Sequence, residues 1–267
     1  MALLEIRGLR KAFERGGTPI VALENLNLSV GEGEFVTIVG PSGCGKSTLL
    51  HILGGFEELS GGEVLVNGRA IGGPGRDRGM VFQEFALFPW RTALGNVLWG
   101  VELEGRPRGE ALEVAERYLE MVGLLPFKDL YPHELSGGMK QRVALARVLA
   151  FDPRVLLMDE PFGSLDAQTR ELMQEELNRI WEQTGKTVLF VTHDIEEAIY
   201  LGDRVLVLTA RPGTIKEVVE IKLPRPRDIQ VKKQEPYIAY RNAIWDLLRE
   251  EVLKSRLDVP GVAAETP

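Results

Sequence analysis

The sequence predicts an α/β chain organised around a mainly parallel sheet, and three observations carry that prediction. Short apolar runs of strand length recur as "EFVTIVG", "VLLMDE" and "TVLFVT", and uninterrupted apolar runs suit strands buried on both faces. Segments of helical periodicity alternate with strands, which implies parallel crossovers. A glycine-rich stretch, "GPSGCGKS", follows the first of these strands and opens a helix, the context a phosphate-binding loop requires.

In chain order, "EFVTIVG" is a buried strand, and a helix follows from Lys46 to about Leu53. "GEVLVNG" alternates between bounding glycines and reads as a hairpin strand. "GMVFQ" is another strand. From Arg91 to Ala150 the pattern is helical, and "EALEVAERYLEMVGL" stops at Gly123. This block lies between strands, so it predicts an inserted helical subdomain over about 91–150. "RVLLMDEP" and "TVLFVTHD" are buried strands, and "RVLVLTARPGTIKEVVEI" is two strands around a Pro-Gly turn. The predicted organisation is a domain over 1–223, a Pro224/Pro226 linker with an amphipathic helix over 224–257, and a disordered tail over 258–267. Lys222, Arg225, Arg227, Lys232 and Lys233 read as a solvated face, with attraction to anionic lipid the lesser alternative.

With 267 residues, 44% of them hydrophobic, the chain has material for a sizeable core. Its net charge of −7 argues against a nucleic-acid partner. A lone cysteine, Cys44, makes no internal disulfide and suits a reducing compartment. The N-terminus has no signal-peptide pattern, and no run reaches the about 18 apolar residues of a membrane span.

In "GPSGCGKS", Gly40, Gly43 and Gly45 let backbone N–H groups turn inward as an anion nest, with Pro41, Ser42 and Cys44 between them. The helix start adds roughly half a positive charge. Lys46 is placed to reach the β- and γ-phosphates of a nucleotide, and Ser47 to ligate magnesium. Cys44 lies in this loop, so nucleotide is expected to shield its thiol from alkylation. The motif alone does not separate a kinase, a GTPase and a motor.

"VLLMDE" brings Asp159 and Glu160 to the carboxyl end of a strand, where α/β sheets bind ligands. Asp159 would hold the magnesium, and Glu160 would orient and deprotonate an attacking water. His193 ends its strand in the same way. It reads either as a helix-start residue or as a sensor of the γ-phosphate. Asp194 resembles an N-cap, with Glu197 completing a capping box. Gln83 is either a surface glutamine or a side-chain oxygen reaching magnesium and water.

"GPSGCGKST" (with Thr48), Gln83, "LSGGMKQR", "VLLMDEP", "GSLD" (Gly163 to Asp166) and His193 together resemble the ATP-binding cassette (ABC) family of transport ATPases, over about Leu3 to Leu223. The resemblance implies a P-loop ATPase core with an antiparallel β subdomain. It implies ATP and Mg2+ as cofactors, and a head-to-tail homodimer in which each ATP is covered by the partner's Ser136, Gly137 and Gly138. Asp166 of "GSLD" would be a further nucleotide-binding residue. Phe13 matches an aromatic that stacks on adenine, though a core phenylalanine is the other reading. Ser136 caps a helix with free N–H groups, and the glycine pair would allow close approach of a phosphate.

"FALFPWRT", "EPFGSLDAQTR" and "KLPRPRD" resemble the nitrate, sulfonate, taurine and bicarbonate importer branch, in which Ser164 is often alanine. That branch implies transmembrane permease subunits and, indirectly, a solute-binding protein, with this chain peripheral on the cytoplasmic face of the membrane. The remainder after Leu223 is too short for the regulatory domain that sugar-importer ATPases append. Phe85, Leu87, Phe88 and Trp90 read either as subdomain core or as a groove for a partner's helix. An ATPase of an export or lipoprotein-release system, or a non-transport ABC protein, are the alternatives.

Overall fold

The computed structural model describes residues 2–102 and 105–257. The tail expected to be disordered, 258–267, lies outside them. β1 (Ala2–Arg15) and β2 (Thr18–Gly31) form a long antiparallel hairpin. Its register shifts repeatedly between Ile6 and Ala12. Each shift resets the two-residue alternation, which is why this hairpin is the element least visible in the periodicity. β3 (Phe35–Val39) leads through the glycine-rich loop into α1 (Lys46–Gly54). β4 (Gly61–Val66) and β5 (Arg69–Ala70) turn on Asn67 and Gly68, both at positive φ, as a tight hairpin requires. β6 (Arg78–Val81) follows, then the helices α2 (Ala93–Glu102), α3 (Arg108–Met121) and α4 (Gly137–Leu149). β7 (Val155–Asp159), α5 (Ala167–Thr184), β8 (Thr187–Val191), α6 (Ile195–Leu201), β9 (Arg204–Leu208), β10 (Ile215–Glu220) and α7 (Glu235–Leu257) complete the chain.

A four-stranded antiparallel sheet has the order β2-β1-β4-β5, and a six-stranded sheet the order β10-β9-β3-β8-β7-β6. In the larger sheet only the β9–β10 pair is antiparallel. The inner strands bury alternate residues in two cores. Phe35 and Val39 of β3, with Phe190 of β8, pack toward the helices. Val36 and Ile38, with Leu189 and Val191, pack with α1 against the antiparallel sheet. With both faces covered, these strands need continuous apolar sequence.

The solvated face expected of the linker basics is not what forms. Arg227 is buried, and its Nη1 donates to the carbonyls of Ile199, Tyr200 and Gly202 at 2.9, 3.1 and 2.7 Å. It satisfies carbonyls that the end of α6 leaves open. Burial, with Arg225 beside it, lowers its guanidinium to about 10. Arg225 lies 4.0 Å from the Trp181 ring centroid and bonds Asp203 and Leu201. Lys232 donates to Gln174. Only Lys222 and Lys233 are exposed.

Residues 83–90 divide between the two readings left open. Leu87 packs on the core, while Phe88 meets Trp90 at a tilt and Trp99 edge-on, and Trp90 is 71% exposed. Buried Asn96 holds this loop by donating to Phe88, Arg91 and Thr92 carbonyls and accepting from Phe88 N. Arg147 donates to the carbonyls of Ala86 and Phe85.

Candidate functional site

β3, β7 and β8 are parallel, so their carboxyl ends share one sheet edge. Beyond β3 the loop enters α1 through Gly45, at φ 102, where a Cβ would lie 2.6 Å from Leu23 Cδ2. Conformation and space both demand glycine there. No side chain caps α1, which leaves first-turn N–H groups free at the positive helix end. Lys46 is buried, and its Nζ donates to Gly40 O at 2.8 Å and Pro41 O at 3.0 Å.

A cleft of about 270 Å3 opens over the loop, lined by Ser42, Gly43, Gly45, Lys46, Ser47 and Thr48, with Phe13, Ala22, Glu160 and Arg211 as walls. Phe13 is 40% exposed, with Lys11 Nζ 4.7 Å from its ring centroid. It is a cleft wall and not a core phenylalanine. Arg211 escaped the sequence reading. Its Nη2 donates to Gly43 O at 3.3 Å, and the signal available was a basic residue in the turn after a strand of the same sheet.

Ser47 Oγ donates to Asp159 Oδ1 at 3.1 Å. Burial pushes the Asp159 carboxyl above its ordinary range, and the Ser47 bond opposes this. A hydroxyl and a carboxylate oxygen beside a phosphate-sized cleft fit a hard divalent cation that keeps substrate oxygens and waters as further ligands. Among the described residues no group of three or more His, Cys, Asp and Glu would cage a metal alone. Glu160 follows at φ 43, a conformation that costs a non-glycine residue about 1–3 kcal/mol. Its N–H donates to Val191 O at 2.9 Å, which holds that backbone against the strain. Its Oε2 lies 2.9 Å from Nδ1 of the exposed His193. Gln83 is exposed close by. Its Nε2 and Glu160 Oε2 lie 3.9 and 3.8 Å from where a Cβ on Gly163 would sit.

Asp194 caps α6 by accepting from Glu196 N and Glu197 N, but the reciprocal half of the capping box does not form. Thr192 Oγ1 takes the Asp194 N–H at 3.0 Å. Glu197 turns inward to Gln174 Nε2 at 3.1 Å, and burial raises its carboxyl.

Ser136 caps α4, its Oγ accepting from Met139 N at 3.3 Å. Neither Ser136, Gly137 nor Gly138 lines the phosphate-loop cleft of the same chain. The glycine pair also has an internal reason that the sequence did not reveal. A Cβ on Gly138 would lie 2.9 Å from Thr169 Cγ2, and one on Gly137 3.3 Å from Leu165 Cδ2. Small residues let the start of α4 pack on the start of α5. Asp166 caps α5 by accepting from Thr169 N at 3.0 Å, a bond that holds its carboxyl below the usual range.

Cys44 corrects an expectation. Its side chain is 1% exposed in the core beneath the loop, and burial raises its thiol. Reactivity follows exposed thiolate, so nucleotide is not what shields it. Iodoacetamide is expected to label the folded chain at least about tenfold more slowly than the denatured chain, with or without ATP. Mass spectrometry over time would check this, and fast labelling of the folded, nucleotide-free chain would count against it.

The family model described as "ABC transporter" matches residues 23–163. An uncharacterized ABC transporter ATP-binding protein of Methanocaldococcus jannaschii is 54% identical over 252 residues, 94% of this chain and 93% of that protein. A nitrate import ATP-binding protein of Synechocystis sp. is 48% identical over 252 residues, 92% of this chain and 95% of that one. Among solved structures, a dimeric ATP-binding cassette in a post-hydrolysis state with ADP and phosphate aligns with TM-score 0.73 at 36% identity, covering 83% of this chain and 100% of its own.

Proposed function

This chain belongs to the ABC transporter family as an ATP-hydrolysing subunit of importer type, and from that premise we propose that two copies close head to tail on ATP to drive uptake of a small anion. The observation that carries the reading is a separation. The loop, Ser47–Asp159 and Glu160–His193 converge on one sheet edge, while the capped start of α4 stands outside that cleft with N–H groups to offer an anion. A second copy supplies the missing wall.

In this mechanism ATP lies on the free N–H groups of α1 and the loop, with adenine against Phe13. Two of the three Lys46 N–H donors hold the Gly40 and Pro41 carbonyls, and the third turns to phosphate oxygens, adding an ion pair that neutral carbonyls do not supply. Ser47, Asp159 and Gln83 would hold Mg2+, which supplies charge neutralisation at the β- and γ-phosphates when bound. Glu160 accepts the proton of the attacking water, and His193 steadies Glu160 while facing the γ-phosphate. Positioning and charge stabilisation account for most of the rate, as in phosphoryl transfer generally. Ser136, Gly137, Gly138 and Asp166 act on the partner's nucleotide. The same sheet edge therefore both senses and cleaves ATP, so closure and opening follow binding and hydrolysis.

No described helix is long and apolar enough to cross a membrane, so transmembrane permease subunits would hold the chain at the membrane. The exposed Trp90 and Trp99, with the half-buried Phe88 between them, offer them an aromatic contact, and a solute-binding protein would act through those subunits. Nitrate, sulfonate, taurine or a similar anion is the solute class, favoured by the branch-like motifs and by the nitrate-import relative.

A mixed dimer tests the head-to-tail arrangement. One subunit carries Lys46→Ala and the other Ser136→Arg, both with Glu160→Gln to stop turnover. If Ser136 serves the partner's ATP, both lesions share one site and the other stays intact, so one ATP is retained per purified heterodimer. Retention no higher than in either homodimeric control, with the heterodimer verified, would sink this arrangement.

A further inference from the structure

We propose that the outer face of α7 is a second strip of contact between the two copies in the ATP-closed dimer. The inference rests on the head-to-tail reading above. Gly40, Pro41, Ser42 and His193 form one wall of a cleft of about 340 Å3. The opposite wall is α7, through Trp245, Leu248, Val252 and Leu253. Positions 245, 248 and 252 fall on one helical face. Leu248 packs partly against the core, while Trp245 is 59% and Leu253 53% exposed, so the outer part of that face is open. The inner face is anchored elsewhere. Ile244 is in the core, Tyr237 Oη donates to Glu196 O at 2.7 Å, and Glu251 accepts from Ala210 N.

The occupant follows from continuity. Ser42 lines both this cleft and the phosphate-loop cleft, so a partner whose α4 start bonds phosphates held there arrives at the edge of the α7 cleft. Its approach therefore takes water from the exposed apolar residues of α7, and each copy brings one such strip. Burying this surface favours the closed dimer and leaves nucleotide binding to a single copy untouched.

The test uses the full chain with Glu160→Gln, ATP and magnesium, followed by sedimentation velocity across protein concentration. Trp245→Asp with Leu253→Asp is expected to raise the concentration for half-dimerisation about tenfold or more. ADP affinity, which needs one copy only, should stay within about twofold. Both side chains are more than half exposed, so the monomer has little to lose by the changes. Trp245 gives a second readout in the Glu160→Gln chain without the aspartates: its emission should shift to the blue on ATP-driven dimerisation, a shift absent in Trp245→Phe. If the Glu160→Gln parent stays monomeric with ATP, the head-to-tail reading fails and this inference with it. If the parent dimerises and the aspartate variant dimerises at the same concentration, only the role of α7 is overturned.

Discussion

Glu160→Gln is expected to bind ATP as tightly as the parent and to hydrolyse it at least about a hundredfold more slowly. Glutamine keeps the size of the side chain and a hydrogen-bonding partner for His193 Nδ1, now 2.9 Å from Oε2. It does not take a proton from water. The Val191 bond to the backbone at this positive-φ position is untouched by the substitution, so the amide should sit where the acid sat. Phosphate release at steady state gives the rate, and a single-turnover experiment separates chemistry from product release. With cleavage stopped, ATP and magnesium should drive the variant to a dimer. A variant with near-parent turnover would remove Glu160 from the chemistry. A slow variant that never dimerises would leave Glu160 in place and challenge the closure step.

Lys46→Ala is expected to weaken binding of both ATP and ADP by about a hundredfold, the loss of charge-assisted bonds to phosphate. The structure adds a second cost. Lys46 Nζ ties the carbonyls of Gly40 and Pro41, so the alanine also frees the loop to leave its phosphate-binding shape. Lys46→Arg should fail as well, because the ammonium is buried and a planar guanidinium does not fit the same carbonyl pair. Calorimetry with ADP reads the loop without hydrolysis or dimer formation, and parent-like affinity in the alanine variant would refute the role given to this lysine.

What the sequence determined by itself is everything written in local pattern. The strand runs at β3, β7 and β8 were legible because burial on both faces permits no polar alternation. The loop, Asp159, Glu160 and the Ser136 cap were legible because each is defined by a few consecutive residues at the end of an element. Tertiary structure alone decided the groups whose partners are distant in the chain. Arg225 and Arg227 looked like surface charge until the end of α6 required donors. Asn96 closes a loop of its own neighbours, yet its burial comes from packing among the helices. Cys44 faces the core and not the nucleotide, since direction within a loop depends on which backbone turn precedes it. Glu197 chose Gln174 over its cap because Thr192 had already satisfied Asp194 N. Hydrogen-bond satisfaction inside a fold is a competition among all nearby groups, and sequence spacing records only the competitors that are close along the chain.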